Sequence, residues 1–203
     1  LNPPRVINVM NNYENPANYI DRFSSEDILV IKKPPFTAPT LAMTNVNNNS
    51  DFLTERFVSF AYRYLYQSGE YSATSPWSEI AFNPKAYKPS IRSGVNDGMV
   101  NQYNAVDVTF DTGGELVIGV DLLFKETESN VIKVIEKINK SNLGYSDNTK
   151  YSFTFSNSKI FTVLPESELL RLYDNVPHKA KAQTLMGNRL IYGNYVDGYD
   201  LKD

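Results

Sequence analysis

The stretch from Arg56 to Tyr66 constrains the fold of this chain more than any other part of its sequence. Every second residue there is apolar or aromatic, and these residues are Val58, Phe60, Tyr62, Tyr64 and Tyr66. Successive side chains of a β-strand point to opposite faces of a sheet, so a strand gathers all five on one face. The pattern therefore predicts a long β-strand with a buried aromatic face.

The composition of the whole chain also favours strands. Its 203 residues include 14 Tyr and 11 Phe, and 41% of them are hydrophobic. Aromatic and β-branched side chains fit the half-buried surface of a pleated sheet, and a chain of this length can bury a sizeable core. We therefore expect a globular, all-β protein.

Seven further segments have strand patterns bounded by turn-forming residues. They are Val6–Val9, Asp27–Lys32, Thr40–Met43, Tyr71–Phe82, Val131–Ile138, Tyr151–Phe155 and Asn188–Tyr195. Pro76, in the fourth of them, is tolerated only at a sheet edge or a bulge. The spacing of Val131–Ile138 also fits a helix, but its β-branched residues favour a strand.

A β-hairpin is predicted around the turn sequence Asp111-Thr112-Gly113-Gly114. Apolar residues alternate on both sides of this turn, namely Val106, Val108 and Phe110 before it and Leu116, Ile118, Val120, Leu122 and Phe124 after it. Asp and Gly tolerate the positive φ angles that tight hairpins need. Several short strands separated by turns are typical of an immunoglobulin-like or fibronectin-like β-sandwich.

One short helix is predicted from Pro165 to Tyr173. Pro165 suits the first turn, because its φ angle is already helical and it has no N–H to leave unpaired. Glu166 and Glu168 then lie near the positive end of the helix dipole, which favours negative charge. We therefore assign these two carboxylates to the start of the helix.

Charge and cysteine content exclude several classes of protein. The net charge is −3 at pH 7 and the longest cationic cluster is Lys32-Lys33, so the basic stripe of a nucleic-acid-binding protein is absent. No apolar run approaches the roughly 20 residues that span a bilayer. The chain has no Cys, which excludes disulfides, thiolate zinc sites and Cys nucleophiles. It starts at Leu1 without a signal-peptide pattern, so we expect a trimmed chain.

Candidate catalytic residues are few. His178 is the only His and lies in a polar stretch, and most single His residues are structural or solvated. Carboxylates flank the predicted hairpin at Asp107, Asp111, Glu115 and Asp121. Paired carboxylates can cleave glycosidic bonds, but strand alternation assigns these four to the solvent-facing half of their strands. We expect no catalytic site.

Metal and cofactor sites are not predicted either. Asn47-x-Asn49-x-Asp51 imitates the opening of a calcium loop, but the following Gly and the distal Glu are missing. Asp197-Gly198-Tyr199-Asp200 is interpreted as a turn that carries carboxylates. Gly113-Gly114 belongs to the predicted hairpin and not to a phosphate-binding loop. We therefore expect no metal and no cofactor.

The tyrosines of the long predicted strand have two interpretations. Tyr62, Tyr64 and Tyr66 could form a platform on which sugar rings or bases stack. Their alternation favours packing in the core or across neighbouring strands.

Part of the chain resembles a fibronectin type III domain. The segments Arg56–Tyr64, Gly69–Ser72 and Ser75–Ser78 resemble the last two strands of that fold, and Pro39-Thr40 resembles its opening strand. The intervening strands are missing between these two pieces, which only about ten residues separate. The strands from Val106 to Ile138 would then complete the sandwich in an altered order.

The ends of the chain resemble a second family. Leu1–Asn8 and Gly187–Tyr195 look like blade segments of a β-propeller platform. Together with Ile31–Pro39 they resemble the tail nozzle proteins of short-tailed bacteriophages, above all the muzzle or "stabilisation" proteins of crAss-like phages. This resemblance implies that residues 1–35 and 166–203 belong to a larger β platform. Residues 36–165 are then a fibronectin-like sandwich inserted into it.

This second resemblance implies a structural virion protein of the phage tail and not an enzyme. Such proteins form a closed ring, usually sixfold, that extends the channel through which DNA leaves. The implied partners are other copies of the chain and neighbouring tail proteins, with DNA passing without specific binding and no membrane involved. The alternative is a fibronectin-like adhesion or carbohydrate-binding module of a bacterial surface protein, with Tyr64 and Trp77 as its candidate binding residues.

Overall fold

A computed structural model describes residue 5 and residues 28–47, 51–129, 131–156, 162–165, 168, 179–187 and 189–196. This part of the chain is mostly β, with several antiparallel sheets, which confirms the all-β prediction. The chain divides into two compact units. The larger unit is Pro34–Arg171, and the smaller unit combines Leu1–Lys33 with Leu172–Asp203. The three-part division expected from the sequence stays a prediction.

Nine strands and one short helix make up the described elements. The strands are β1 (Thr40–Thr44), β2 (Val58–Tyr66), β3 (Ala105–Asp111), β4 (Val117–Glu126), β5 (Ile132–Asn139), β6 (Lys150–Phe155), β7 (Thr162–Val163), β8 (Lys179–Met186) and β9 (Arg189–Val196). The helix α1 (Lys140–Leu143) follows β5 directly. It begins where the Asn139 side chain accepts the Asn142 N–H, and it ends at Gly144, whose φ of 66° is left-handed.

Two antiparallel sheets form the larger unit. The first has the strand order β1-β3-β6 and the second has the order β2-β4-β5-β7. The main cluster of buried apolar residues draws on both sheets, with Phe60 from β2, Phe110 from β3, Phe124 from β4 and Phe155 from β6. The rings of Phe60 and Phe155 meet edge to face at 5.3 Å between centroids, an arrangement that aromatic pairs favour.

The aromatic face of β2 lies in this cluster, as its alternation predicts. Tyr62, Tyr64 and Tyr66 are all buried there, with Tyr64 only 7% exposed. The opposite face of β2 is covered too, because Ala61 packs with Leu123, Val134 and Leu164 in a second cluster. Since both faces are buried, β2 is a central structural element of the larger unit.

The predicted hairpin at Asp111–Gly114 is wrong, although both of its strands exist. β3 pairs with β1 and β6, whereas β4 pairs with β2 and β5, so the chain passes from one sheet to the other at this turn. Contacts with the loop before β6 hold the turn in place. The Thr112 hydroxyl donates to the Ser146 carbonyl at 2.7 Å, and the Lys140 ammonium donates to the Gly114 carbonyl at 2.9 Å.

The segment Tyr71–Phe82 runs beside β2 but is not the β-strand that the sequence predicts. We call residues 71–82 the serine segment. Its N–H groups at Ser72, Ser75 and Ser78 donate to the carbonyls of Tyr64, Tyr62 and Phe60 at 2.8 to 2.9 Å. The donors are thus three residues apart in the segment, whereas the acceptors are two residues apart in β2. A regular β ladder pairs residues one to one and does not have this spacing.

Serine side chains complete this irregular pairing. Each Ser Oγ accepts the β2 N–H that the segment's backbone leaves free, at 3.0 Å for Tyr64, Tyr62 and Phe60. The Oγ of Ser75 also donates to the carbonyl of Pro76 at 2.9 Å. Because the segment covers an edge of the sheet, Pro76 lies where a residue without an N–H is tolerated.

The other strand predictions have mixed outcomes. β1, β5 and β6 confirm the strands predicted near Thr40, Ile132 and Tyr151, so the helical alternative for Val131–Ile138 is wrong. The strand predicted at Asp27–Lys32 is wrong within its described residues, since Leu29 forms only an isolated bridge with Arg5. The Lys32 ammonium donates to the Leu29 carbonyl at 3.2 Å there and curls the segment. Val6–Val9 lies outside the described residues.

Two antiparallel strands, β8 and β9, form a separate sheet in the smaller unit. β9 confirms the strand predicted at the end of the chain, whereas β8 was not predicted. In its sequence Lys-Ala-Lys-Ala-Gln-Thr only Ala occupies the alternate apolar positions, and Ala and Lys are both depleted in strands. Apart from Pro165 and Glu168, the predicted helix Pro165–Tyr173 lies outside the described residues. The Glu168 N–H donates to the Pro165 carbonyl at 2.9 Å.

Candidate functional site

The carboxylates considered for catalysis each have a different partner. Asp107 on β3 accepts a hydrogen bond from the Thr154 hydroxyl at 2.5 Å, and Asp111 accepts the N–H of Gly113 at 2.8 Å. Glu115 is exposed in the turn before β4. Three of the four thus lie at least partly in solvent, as predicted, and two of these three stabilise local structure.

Asp121 is different, and its predicted exposure to solvent is wrong. The side chain is 3% exposed and lies opposite Arg63 in the β2–β4 pair. Burial raises the pKa of the Asp121 carboxyl, although the Arg63 guanidinium works in the opposite direction. Strand alternation predicted the correct face for Asp121, but that face is covered.

Arg63 is the centre of a buried ionic cluster. Its guanidinium binds Asp121 and also Glu168, and it lies 3.9 Å from the centre of the Tyr71 ring. Such a buried cluster holds elements together, because removing one partner leaves an uncompensated charge. Each charged side chain in it has a charged partner, so we assign the cluster to structure and not to chemistry.

The tyrosines of β2 offer no exposed platform. Burial raises the pKa values of the Tyr62 and Tyr64 hydroxyls, and the Tyr62 hydroxyl lies 3.3 Å from the Thr37 hydroxyl. Trp77 is half-buried, and the Lys125 ammonium covers its ring at 4.3 Å from the centroid. The core interpretation of these tyrosines is therefore confirmed.

The remaining candidates fall mainly outside the described residues. His178, Asn49 and the segment Asp197–Asp200 lie there, so their roles stay predictions. In the part of the chain that the structure describes, no three His, Cys, Asp or Glu side chains are grouped so that they could hold a metal ion. No helix among the described residues is long and apolar enough to cross a membrane.

Two surfaces carry exposed apolar side chains instead. The first is residues 83–102, which we call the arm. It folds back on itself, with bridges between Pro84 and Asn101 and between Pro89 and Asn96. Its largest exposed apolar residues are Tyr87, Ile91, Val95 and Met99. These four residues recur every fourth position in the sequence, but Pro89, Gly94 and Gly98 lie between them and argue against a helix, so the sequence alone predicts only a connecting link here.

The second surface is the β8–β9 sheet. Exposed apolar side chains occur along both strands, at Leu185, Met186, Leu190, Ile191, Tyr195 and Val196. Leu185 is 74% exposed and lies directly across from Leu190. Within the part of the chain that the structure describes, each of these strands pairs only with the other. Sheet edges and exposed apolar faces are suited to pairing with further strands.

Comparison with known proteins adds no relative to these observations. No model of a protein family matches the chain, and no curated protein matches it. The function therefore has to be inferred from the surfaces themselves. Both are suited to contact with other proteins, because each combines exposed apolar side chains with a defined backbone.

Proposed function

We propose that this protein is a structural component of a bacteriophage tail, of the nozzle or muzzle type, that assembles with copies of itself into a ring around the DNA exit channel. Its larger unit is a contact module and carries no catalytic site. Its smaller unit belongs to a β platform that is completed in the assembly. The assembled ring would contact neighbouring tail proteins in the virion.

The β8–β9 sheet is the observation that carries this proposal. An isolated two-stranded sheet is marginally stable in water, and independent stability needs more strands or a packed face. Here Leu185, Met186 and Leu190 are exposed on the two strands. The burial of these side chains in a larger β body would remove about 25 cal/mol of unfavourable free energy per Å² of apolar surface. The sheet therefore favours a function through assembly.

The division of the chain supports an inserted module. The smaller unit takes residues from both ends of the chain, and the larger unit, Pro34–Arg171, is continuous between them. A domain inserted in a surface loop of another domain has this organisation, because such loops tolerate long insertions. The arrangement agrees with a module inserted between two segments of a platform.

We also propose that the larger unit is a permuted fibronectin-like sandwich. In immunoglobulin-type sandwiches, strands A, B and E share one sheet and C, F and G share the other. The order β1-β3-β6 fits A-B-E, and the serine segment, β2 and β4 fit G-F-C. The chain would then visit the strands in the order A, F, G, B, C and E, the altered order that the fibronectin resemblance implies.

Charge fits a channel component through which DNA passes. The chain carries a net −3, and acidic proteins do not hold the DNA backbone by counterion release. Two cationic side chains of the larger unit are bound to carboxylates, Arg63 to Asp121 and Lys140 to Asp147. These features support passage of DNA without specific binding.

The adhesion or carbohydrate-binding alternative has less support. Its candidate residues were Tyr64, which is buried, and Trp77, whose ring is covered by Lys125. Sugar-binding platforms need an exposed aromatic face on which a ring can stack. Saturable glycan binding by a monomeric protein would nevertheless favour this alternative over the ring.

The test is the oligomeric state of the purified protein that contains both units. We expect light scattering after size-exclusion chromatography to give an integer multiple of the 23.0 kDa chain mass, and electron microscopy to show closed rings. Leu185→Lys should shift the protein toward monomers, because it puts a charge into the completed platform. Leu143→Lys is the matched control, as Leu143 is similarly exposed, but on α1 of the larger unit. A wild-type protein that stays monomeric at every concentration would contradict the proposal.

A further inference from the structure

The arm has a defined conformation although most of its residues are exposed. The Asn101 side chain fixes its base, donating to the Ala81 carbonyl at 3.1 Å and accepting the Asn83 N–H at 3.0 Å. Farther out, the Asn96 side chain accepts the N–H of Lys88 at 2.8 Å. Gly98 packs so closely that a Cβ there would lie 2.1 Å from the Ala86 carbonyl oxygen. A preordered arm loses little conformational entropy on binding.

The end of the arm combines apolar and cationic side chains. Ile91 is 101% exposed, so its side chain is fully accessible to solvent. Lys85, Lys88 and Arg92 are exposed too, and none of them forms an ion pair with the described residues. With Asp97 as its only carboxylate, the arm has a net charge of +2. The end of the arm thus presents a fully exposed apolar side chain together with a net positive charge.

A surface of the opposite charge lies where β2 begins and β4 ends. We call it the acidic end, and it comprises Glu55, Phe57, Glu79, Ile80 and Glu128. All three carboxylates are exposed, and so are Phe57 and Ile80. The Phe57 carbonyl accepts the Thr127 N–H at 2.9 Å, which fixes the Glu128 turn beside β2.

The cations near the acidic end offset only part of its charge. Arg56 and Lys133 both bind the single carboxylate of Glu126, so these three side chains together have a net charge of +1, and the Lys125 ammonium lies over the Trp77 ring. Counted together with Lys125 and with Glu55, Glu79 and Glu128, the group has a net charge of −1. Ile80 is 50% exposed, and Phe57, whose ring packs on Phe82, is 36% exposed. The acidic end therefore combines exposed apolar side chains with a net negative charge, which complements the net positive charge of the arm.

We propose that the arm of one copy docks on the acidic end of a neighbouring copy, with Ile91 against Phe57 and Ile80 and the arm cations against the carboxylates. The partner is a second copy of this chain, because the chain without its arm has a net charge of −5 while the arm carries +2. Opposite charges across an interface favour encounter and fix its register. The two surfaces differ, so the contact is head-to-tail, and a head-to-tail contact gives a ring when the rotation between successive copies closes. This inference rests on the proposed ring.

The absence of Cys from the chain makes a crosslinking test possible without background. Ile91→Cys and Glu55→Cys variants are prepared separately, mixed, and treated with a short bismaleimide crosslinker. We expect a covalent dimer in the mixture at least tenfold more abundant than in either variant alone. Lys150→Cys, an exposed position on β6, replaces Glu55→Cys in the control mixture and should give no excess dimer.

Charge reversal provides a second test that does not depend on crosslinker geometry. Lys88→Glu with Arg92→Glu should reduce the oligomeric fraction at least tenfold, and so should Glu55→Lys with Glu128→Lys. Mixing the two double variants restores an opposite charge pattern between copies, so the mixture should assemble again. Lys150→Glu should leave assembly unchanged.

The outcomes separate this inference from the proposed function. If both charge-reversed double variants form rings as well as wild type does, and the excess crosslink is absent, the arm contact is overturned and the ring is left intact. A monomeric wild-type protein would overturn the ring itself, and the arm contact with it. The substituted residues are exposed, so each variant should fold like wild type. A circular dichroism spectrum equal to that of wild type excludes misfolding as the cause of lost assembly.

Discussion

Arg63 and Asp121 face each other across the β2–β4 pair, and two nitrogens of one side chain bind one oxygen of the other. The Nε and Nη2 of Arg63 donate to Oδ2 of Asp121 at 3.2 and 3.1 Å. Both side chains are almost fully buried, at 6% and 3% exposure. Glu168 binds the remaining nitrogen, Nη1, so one guanidinium joins two strands and a residue that follows β7.

Replacing Arg63 should destabilise the protein strongly. Arg63→Met retains an apolar stem but removes the ion-pair partner of the buried Asp121, while Lys137 stays opposite Asp121 on β5. Breaking a buried ion pair in this way costs about 3 to 5 kcal/mol of unfolding free energy. Arg56→Met is the control, because the ion pair of Arg56 with Glu126 is 46% exposed on the Arg side and such pairs contribute about 0 to 1 kcal/mol. Urea denaturation of both variants measures the difference. Equal losses would contradict a structural role for the buried cluster.

The pH dependence of stability should report on Asp121. Its folded pKa is raised above the ordinary value of 3.8, first because burial disfavours the charged form. Between these two pKa values the folded state binds more protons than the unfolded state, so this group's contribution to stability falls as pH rises. Asp121→Asn removes that contribution. The variant should therefore gain stability relative to wild type as the pH rises above 3.8.

Denaturation series at several pH values measure this difference. If the unfolding free energy of wild type instead rises relative to that of Asp121→Asn as the pH increases, the attraction of Arg63 outweighs burial and lowers the pKa of Asp121. The direction of the pH dependence thus decides which of the two effects dominates at this carboxylate.

The hydroxyl of Ser75 in the serine segment should stabilise the edge of the sheet. In Ser75→Ala the buried N–H of Tyr62 loses its acceptor and the Pro76 carbonyl loses a donor. An unsatisfied buried backbone group costs about 1 to 3 kcal/mol. Ser68→Ala removes only an exposed hydrogen bond to Glu70, so its effect should stay within about 0.5 kcal/mol. Thermal or urea unfolding compares the two, and an equally small loss for Ser75→Ala would mean that water replaces the Oγ.

The strands of this fold could be predicted from sequence, because local alternation decides which residues share a face. β2 is the clearest case, since its five apolar and aromatic residues all lie in the main cluster. Pairing could not be predicted in the same way. Asp111–Gly114 satisfies the rules for a tight hairpin, yet Thr112 binds Ser146 and Thr149, residues more than thirty positions later.

The surfaces were harder to predict for a related reason. Alternation assigns Asp121 to the face opposite the aromatic residues, but whether that face meets solvent depends on Glu168 and Leu164, which come much later in the chain. One signal was present in the sequence. Ser72, Ser75 and Ser78 recur every third residue, a period that a regular β-strand does not have, and they form the irregular edge beside β2.

Gly113 should tolerate substitution least among the glycines with positive φ. Its φ is +65°, and a Cβ there would lie 2.9 Å from Val117 Cγ2 and 3.0 Å from Tyr64 Cζ. Gly69 has a φ of +81° but open space around its Cβ position. Gly69→Ala should therefore cost only the backbone strain of about 1 to 2 kcal/mol. Gly113→Ala should cost that strain and about 1 to 3 kcal/mol more for overpacking. Equal unfolding free energies for the two variants would show that the turn between the sheets can move away from Tyr64.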